Sequence, residues 1–527
     1  MSLVAMVPEV FAPGGVLARA DGHFQPRDGQ TQMAIAVAET IAEGGALVVE
    51  AGTGVGKTYA YLVPALLSGE RVLLSTATKA LQDQLFARDL PRLAQILGQP
   101  VRMALLKGRA SYLCLHRMQQ ARLDVQAQDR GVARVLSKVE DWSRQTVSGD
   151  LAELTGLDDR SPVIPLVTST RENCLGSSCP RFRECHVHRA RREALAADIV
   201  VINHHLFFAD VAVRESGMAE LLPTVRVVVF DEAHQINETG VQFLGTQMST
   251  GQWMDFARDL LIAGLQHARG LADWAGLSQL LELSARDLRL VVGNAIFQGA
   301  NGVAAGARVR WTEEAPEGLS DAAWHAALRA LGSACAQSLE ALDTVSEISP
   351  DLERLYERGS ALLARLARFS GPCQADAVRW LDVGNQLRLI ESPLDIADAM
   401  RTRILTSPAE TSEGEAWPEE PAANMGRAWI FTSATLGADE ALTWFTERAG
   451  LKDARILRVA SPFDYARQAA LYVPRQLPSP ADPSHSRSVA EWVALAAEPL
   501  GGRTLVLTTT LKALRTLGDA LKARSEE

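Results

Sequence analysis

Cysteine is scarce: six in 527 residues, too few for the disulfide scaffold of a small secreted domain. Long apolar runs are missing as well. No segment reaches the ~18 consecutive apolar residues that a membrane-spanning helix needs. The opening MSLVAMVPEVFAPGG has no positively charged flank ahead of its apolar stretch, as an export signal would. Nor is there an excess of positive charge. Lys plus Arg number 53 against 63 Asp plus Glu, a formal net charge of −10, so the chain cannot coat a polyanion by bulk charge as a histone does. No internal repeat and no long low-complexity tract is present. These absences point to a soluble cytoplasmic protein without a membrane partner.

What is present is a globular composition, 47% hydrophobic and 22% charged, with length for three or four domains of roughly 150 residues. Five short runs rich in Val, Ile and Leu, at residues 46–50, 71–76, 199–203, 225–230 and 429–432, read as buried strands. Each is followed by small or polar residues, as at the carboxyl edge of a parallel sheet, where α/β proteins bind ligands. Two long stretches lie between them. Residues 101–200 hold four of the six cysteines and sixteen Lys or Arg against twelve Asp or Glu, so a basic excess is local even though the total is acidic. Residues 235–427 are mostly helical by pattern. There Leu352, Leu355, Tyr356, Leu362, Leu363, Leu366 and Phe369 recur at helical spacing, the stripe a packed helix presents. Residues 408–421 (PAETSEGEAWPEEP) and 474–486 read as exposed loops.

After the first strand comes Ala51-Gly52-Thr53-Gly54-Val55-Gly56-Lys57-Thr58 and then a helix-compatible YAYLVPALL. Small residues let backbone N–H groups turn toward phosphate. Lys57 supplies a point charge for the β/γ-phosphates, and the Thr58 hydroxyl suits a Mg²⁺ shell, so the segment reads as a P-loop for ATP with Ala in place of its first Gly. Val225 to Phe230 leads into Asp231-Glu232-Ala233-His234. Asp231 is placed to hold Mg²⁺, Glu232 to orient and deprotonate the attacking water, and His234 to sense nucleotide state. Upstream, Gln30 carries an amide that can both donate and accept at an adenine edge, with Arg27 beside it for the loop or a phosphate. Thr432-Ser433-Ala434-Thr435-Leu436 ends a strand with hydroxyls able to reach the DEAH segment. Lys57, Asp231 and Glu232 are therefore the catalytic candidates.

Cys114, Cys174, Cys179 and Cys185 are spaced C-x59-C-x4-C-x5-C. Four thiolates suit tetrahedral zinc or an iron–sulfur cluster, and His186 and His188 keep zinc open. Cys335 and Cys373 lie apart, as core or surface thiols. Around the cluster of cysteines sit Arg181, Arg183, Arg189, Arg191 and Arg192, with Tyr112 and Phe182 nearby. Guanidinium groups grip phosphates and rings stack on bases, so Tyr112, Arg181, Phe182 and Arg183 are candidates for a single-stranded DNA track; a solvated charged helix face is the alternative.

In this order the motifs RDGQTQM, EAGTGVGKT, STATKALQDQL, KGRASYLCL, VINHHLF, DEAH, TSATL and SPFDY resemble those of superfamily 2 helicases of the DinG/XPD-like type, nearest the bacterial DinG/YoaA kind. The resemblance implies an α/β fold: a RecA-like P-loop motor domain at residues 1–107, 199–236 and 426–460. An iron–sulfur domain at 108–198 and a helical arch at 237–425 would interrupt it, and part of a second RecA-like domain would follow at 461–527. It implies a [4Fe–4S] cluster on the four cysteines. The activity it implies is ATP hydrolysis coupled to 5′→3′ movement on single-stranded DNA, acting on forked duplexes with repair or replication proteins. After SPFDY the chain offers a strand-like stretch at 501–510 and a helix-like LKALRTLGDALKAR. The family's motif near SFWEG and its late QGxGRxIR motif with the arginine finger do not occur, so an incomplete second domain is expected. Three readings follow: a helicase of this family with a shortened chain, a nucleotide- and nucleic-acid-binding module without motor activity, or a P-loop ATPase with structural zinc.

Overall fold

The apolar runs pair into one seven-stranded parallel sheet. In a computed structural model, which describes residues 1–122, 130–158, 161–214, 222–298, 307–373, 377–405, 426–480 and 482–525, eleven strands are formed. They are β1 (Gly45–Ala51), β2 (Val72–Thr76), β3 (Met103–Leu105), β4 (Ile199–Asn203), β5 (Val227–Asp231), β6 (Thr246–Ser249), β7 (Ala307–Trp311), β8 (Ala377–Val383), β9 (Leu387–Pro393), β10 (Ala428–Ser433) and β11 (Arg455–Val459). The parallel sheet runs β11-β1-β10-β5-β2-β4-β3. Successive side chains of a strand point to opposite faces. Leu47 and Val49 accordingly join one apolar core while Val48 joins the other, and both faces of the sheet are buried, which is why its strands read as unbroken apolar runs.

The acidic partner of a P-loop is expected at the end of a neighbouring strand, and the order differs. The P-loop strand β1 and the DEAH strand β5 are not neighbours; β10 lies between them, pairing with both. The TSATL residues therefore separate the two halves of the nucleotide edge. Strands β3 and β11, on the outer edges, have no counterpart among the five apolar runs.

The stretch expected to be helical carries long helices, Thr250–His267, Trp274–Gln298, Asp321–Asp343 and Pro350–Ser370, packed around fully buried Trp253, Trp274 and Trp324. It also contains a four-stranded antiparallel sheet, β6-β9-β8-β7. The cysteine-bearing insertion has a small core of its own, built on Leu113, Val139, Val163, Leu166 and Val167. The acidic loop expected at 408–421 lies outside the described residues.

The apolar stretch Leu3–Ala20 matches a bilayer span in length and composition. It is broken into the helices Leu3–Phe11 and Val16–Ala20, with Val7 and Phe11 in the motor core, and neither piece reaches the ~20 residues of a spanning helix.

The chain divides into two compact units, Met1–Pro462 and Phe463–Glu527. The second is built on the helices His485–Ala497 and Leu511–Ser525. The strand expected at 501–510 is absent: Leu505 and Leu507 are more than four-fifths exposed. An apolar run becomes a strand only against a partner strand, and none exists among the described residues of this unit.

Candidate functional site

The carboxyl ends of β1, β10, β5, β2 and β4 form one continuous edge, and the nucleotide motifs are distributed along it. The P-loop turns between β1 and the helix Lys57–Leu67. Gly56 sits at φ 89°, and a Cβ there would meet Gln30 Nε2 at 2.2 Å; only glycine fits. Gln30, itself buried, donates through Nε2 to the Gly56 carbonyl at 2.9 Å. Its Nε2 braces the loop, while its Oε1 is buried without a hydrogen-bond partner among the described residues. Arg27 caps the same helix, Asp28–Glu43, by its backbone. At the other side of the loop a Cβ on Gly52 would meet the Ser461 N at 2.7 Å, and Ser461 Oγ donates to the Thr53 carbonyl at 2.7 Å.

Lys57 Nζ lies 3.4 Å from the Ala51 carbonyl, reaching back across the loop mouth where phosphate would sit. Tyr61, one turn into the helix and fully buried, donates to Asp231 Oδ2 at 3.3 Å and lies near the Thr58 hydroxyl. Burial and the Asp231 charge push its phenol well above the usual range, so it stays a donor. Of the two residues expected to hold Mg²⁺, Thr58 and Asp231, the second is thus held by a tyrosine that no motif announced. Burial, and then the neighbouring Glu232, push Asp231 up to about 6, against the pull of Lys57.

Glu232 adopts φ 56°, ψ 45°, the left-handed region that a non-glycine residue enters only at a cost of ~1–3 kcal/mol. The turn aims its carboxylate back at β10. His234 Nδ1 is 2.8 Å from Ser433 Oγ, and Ser433 donates to Glu232 Oε2 at 3.3 Å. With the proton on Nδ1, the path His234 to Ser433 to Glu232 is a continuous chain of donors. Thr432 pairs in register with Asp231, and its Oγ1 is buried without a partner. Glu50, at the end of β1, accepts from the Leu436 and Gly437 N–H groups at 2.7 and 3.1 Å and from Arg458 at 2.8 Å. Burial opposes its charge, but these donors outweigh it and hold the carboxyl below its usual range. Glu50 was not singled out from sequence, although it directly precedes the P-loop.

The four cysteines come together from distant segments. Cys114 caps the helix Leu115–Ala121 and Cys185 caps His186–Ala196, while Cys174 and Cys179 lie in the intervening turns. Burial raises the Cys114 thiol to about 11, and the other three thiols add to it through their charges. Four thiols are donors that a cationic metal group would bind as thiolates, so the chemistry of the donor set suits such a group. Among the described residues no three His, Cys, Asp or Glu side chains are gathered tightly enough for a single metal ion. His188 stacks on Phe182 at 4.2 Å and His186 is buried. Cys335 is a buried thiol among the arch helices and Cys373 is exposed.

The DNA candidates separate. Tyr112 is a correction: it is buried, and its hydroxyl accepts from the Lys107 N–H at 3.1 Å, so its ring cannot stack on a base. Arg181 is held by Glu184 at 2.6 Å, and Arg183 is exposed. A cavity of about 950 Å³ opens nearby, where the sheet edge, the cysteine insertion and the arch meet, and Lys79, Arg109, Arg171, Arg191 and Arg365 line it. Neither Arg109 nor Arg191 has a carboxylate partner among the described residues. Burial, and then Arg109, press Arg191 down to about 10. Of these five cations only Arg191 was marked by its place near the cysteines; the others come from four separate segments.

A model of the DEAD/DEAH box helicase family matches residues 31–130. The chain is similar to the ATP-dependent DNA helicase YoaA of Escherichia coli K12, 38% identical over 97% of this chain and 76% of that protein. It is similar also to the ATP-dependent helicase DinG of Mycobacterium tuberculosis H37Rv, 31% identical over 99% of this chain and 76% of that one. Among solved structures, Xpd4 of S. tokodaii overlays with a TM-score of 0.43 at 13% identity, covering 94% of this chain and 74% of that one.

Proposed function

The chain belongs to the YoaA/DinG family of ATP-dependent DNA helicases, and from that membership we propose that it hydrolyses ATP to move 5′→3′ along single-stranded DNA and open forked duplexes. It does so in the cytoplasm, with repair or replication proteins. The observation that carries the chemistry is the hydrogen bond of Tyr61 to Asp231 and the joining of His234 to Glu232 through Ser433 along one sheet edge. Lys57 binds the β/γ-phosphates. Thr58 and Asp231 would hold Mg²⁺, which would supply charge neutralisation at the phosphates. Glu232 orients the water and takes its proton, and the Ser433 and His234 chain holds that carboxylate in place. Positioning and electrostatics of this kind are the main levers of phosphoryl transfer.

Cys114, Cys174, Cys179 and Cys185 would hold a [4Fe–4S] cluster, which when bound ties four segments at one point. The basic cavity is the DNA path, with Arg109 and Arg191 on phosphates; Arg181, Phe182 and Arg183 extend it on the outer surface.

One observation favours a second reading, a nucleotide- and DNA-binding module without movement: residues 463–525 carry no strand among the described residues. ATP turnover by this chain with and without single-stranded DNA separates the two. Strong DNA-stimulated turnover is the outcome expected of the helicase. Tight binding of both ligands with no stimulated turnover would leave the module.

A further inference from the structure

One buried side chain lies between the nucleotide edge and the basic cavity and takes no part in the chemistry above. His204 opens the helix His204–Arg214 directly after β4 and has no exposed surface. Its Nδ1 is 2.7 Å from Ser75 Oγ, near the end of β2. Burial presses the ring down to about 4, while the backbone of Glu232 and Asp231, lying against it, favours a proton. The ring is therefore neutral. With Nδ1 accepting from Ser75, the proton sits on Nε2, which is buried, faces the Glu232 and Asp231 backbone and makes no well-formed hydrogen bond among the described residues. A loosely held donor thus stands beside the backbone of the DEAH turn, whose Glu232 is held at φ 56°.

The other side of this residue leads to the cavity. Its chain neighbours Asn203 and His205 both line it, and so do Ala77 and Lys79, two and four residues beyond Ser75. Engagement of a strand by Lys79, and by the Asn203 to His205 segment, bears directly on the two groups that hold the imidazole.

We propose that His204 couples the two sites as a positioning residue: occupation of the basic cavity by a single strand closes the Nε2–H onto the backbone of the DEAH turn and sets Glu232 for hydrolysis. The inference rests on the reading of the cavity as the DNA path. Such a link between two binding events is a reciprocal free energy, measurable from either side.

The test uses the full chain, a fluorescent ATP analogue and oligo-dT, and compares the native protein with His204→Phe, His204→Gln and Ser75→Ala. Each ligand is titrated alone and in the presence of the other, and kcat and KM for ATP are measured with and without oligo-dT. In His204→Phe each ligand bound alone should keep its affinity within about twofold while the DNA-induced rise in kcat falls about tenfold, within the span of typical coupling factors. His204→Gln, which can still accept from Ser75 and donate to the turn, should recover most of the coupling; Ser75→Ala should lose part of it. Circular dichroism checks folding, and Ser75→Ala carries the test if the phenylalanine variant is unfolded. Undiminished coupling in the variants overturns the proposal, as does a native chain that binds both ligands without coupling. A native chain that binds no oligo-dT overturns instead the reading of the cavity, and the inference with it.

Discussion

Asp231 occupies a position where a carboxylate is hard to keep charged. Its site is apolar below, Glu232 follows it, and Lys57 compensates only in part, so its proton leaves at about 6. The folded pKa lies above the ordinary carboxylate value; the folded state therefore binds the proton more tightly, and whatever stability this group lends is present at low pH and lost as pH rises through about 6. Metal binding has the opposite dependence, since a ligand must be ionised to hold Mg²⁺. Mg²⁺-dependent nucleotide affinity should be flat above pH 7 and weaken below 6 by about tenfold per pH unit, measured by titration across pH 5–8. Asp231→Asn should bind weakly and without that slope; an unchanged slope in the variant would assign the titration elsewhere. Asp231, Glu232, Lys57 and Thr58 were legible because their spacing follows apolar strands. Tyr61 was not, because its partner is 170 residues away in the chain and nothing local distinguishes it from a core aromatic.

Among the elements, the junction between the cysteine insertion and the arch rests on a buried triad. Arg117, in the helix that Cys114 caps, meets Asp259 at 2.9 Å, and Arg358, on the arch helix Pro350–Ser370, meets the same carboxylate at 2.7 Å. All three side chains are at most 9% exposed. Burial opposes the charge on Asp259, but Arg117 and then Arg358 outweigh it, and the carboxyl is held below the usual range. A depressed pKa means stability that is present at neutral pH and lost as pH falls through the folded value. Asp259→Ala would leave Arg117 buried without its counter-charge and Arg358 with only Glu172 at 3.9 Å; breaking a buried pair in this way typically costs ~3–5 kcal/mol. The loss should appear as an earlier denaturant transition of the tryptophan fluorescence from Trp253, Trp274 and Trp324; a midpoint like that of the native chain would show that the triad contributes nothing net. None of this junction could be read from sequence, since its members come from three helices. The strands were legible in proportion to their burial. β1, β2, β4, β5 and β10 are covered on both faces and show as apolar runs, whereas β11 (RILRV) and β8 (AVRWLDV) alternate with charge; β8 falls in the stretch read as helical, and β11 is not among the strands expected.

Across the whole molecule, the acidic total and the basic cavity describe different surfaces, and salt separates them. A single-strand phosphate contact contributes about 0.7 to the slope of log affinity against log salt. Arg109 and Arg191 face the cavity without carboxylate partners among the described residues, so replacing both by Ala should weaken oligo-dT binding and reduce the slope by about 1.4. Arg181 is already neutralised by Glu184 at 2.6 Å, so Arg181→Ala with Arg183→Ala should lower the slope by about 0.7 or less, the share of Arg183 alone. The comparison places the strand: a larger loss from the first pair puts it inside the cavity, and a larger loss from the second puts it on the outer face of the cysteine insertion, contrary to the path proposed. Because neither pair touches the nucleotide edge, ATP affinity without DNA should be unchanged in both variants. A parallel fall in ATP affinity would mean that the substitutions had disturbed the sheet edge itself, and the salt slopes would then report on folding rather than on phosphate contacts.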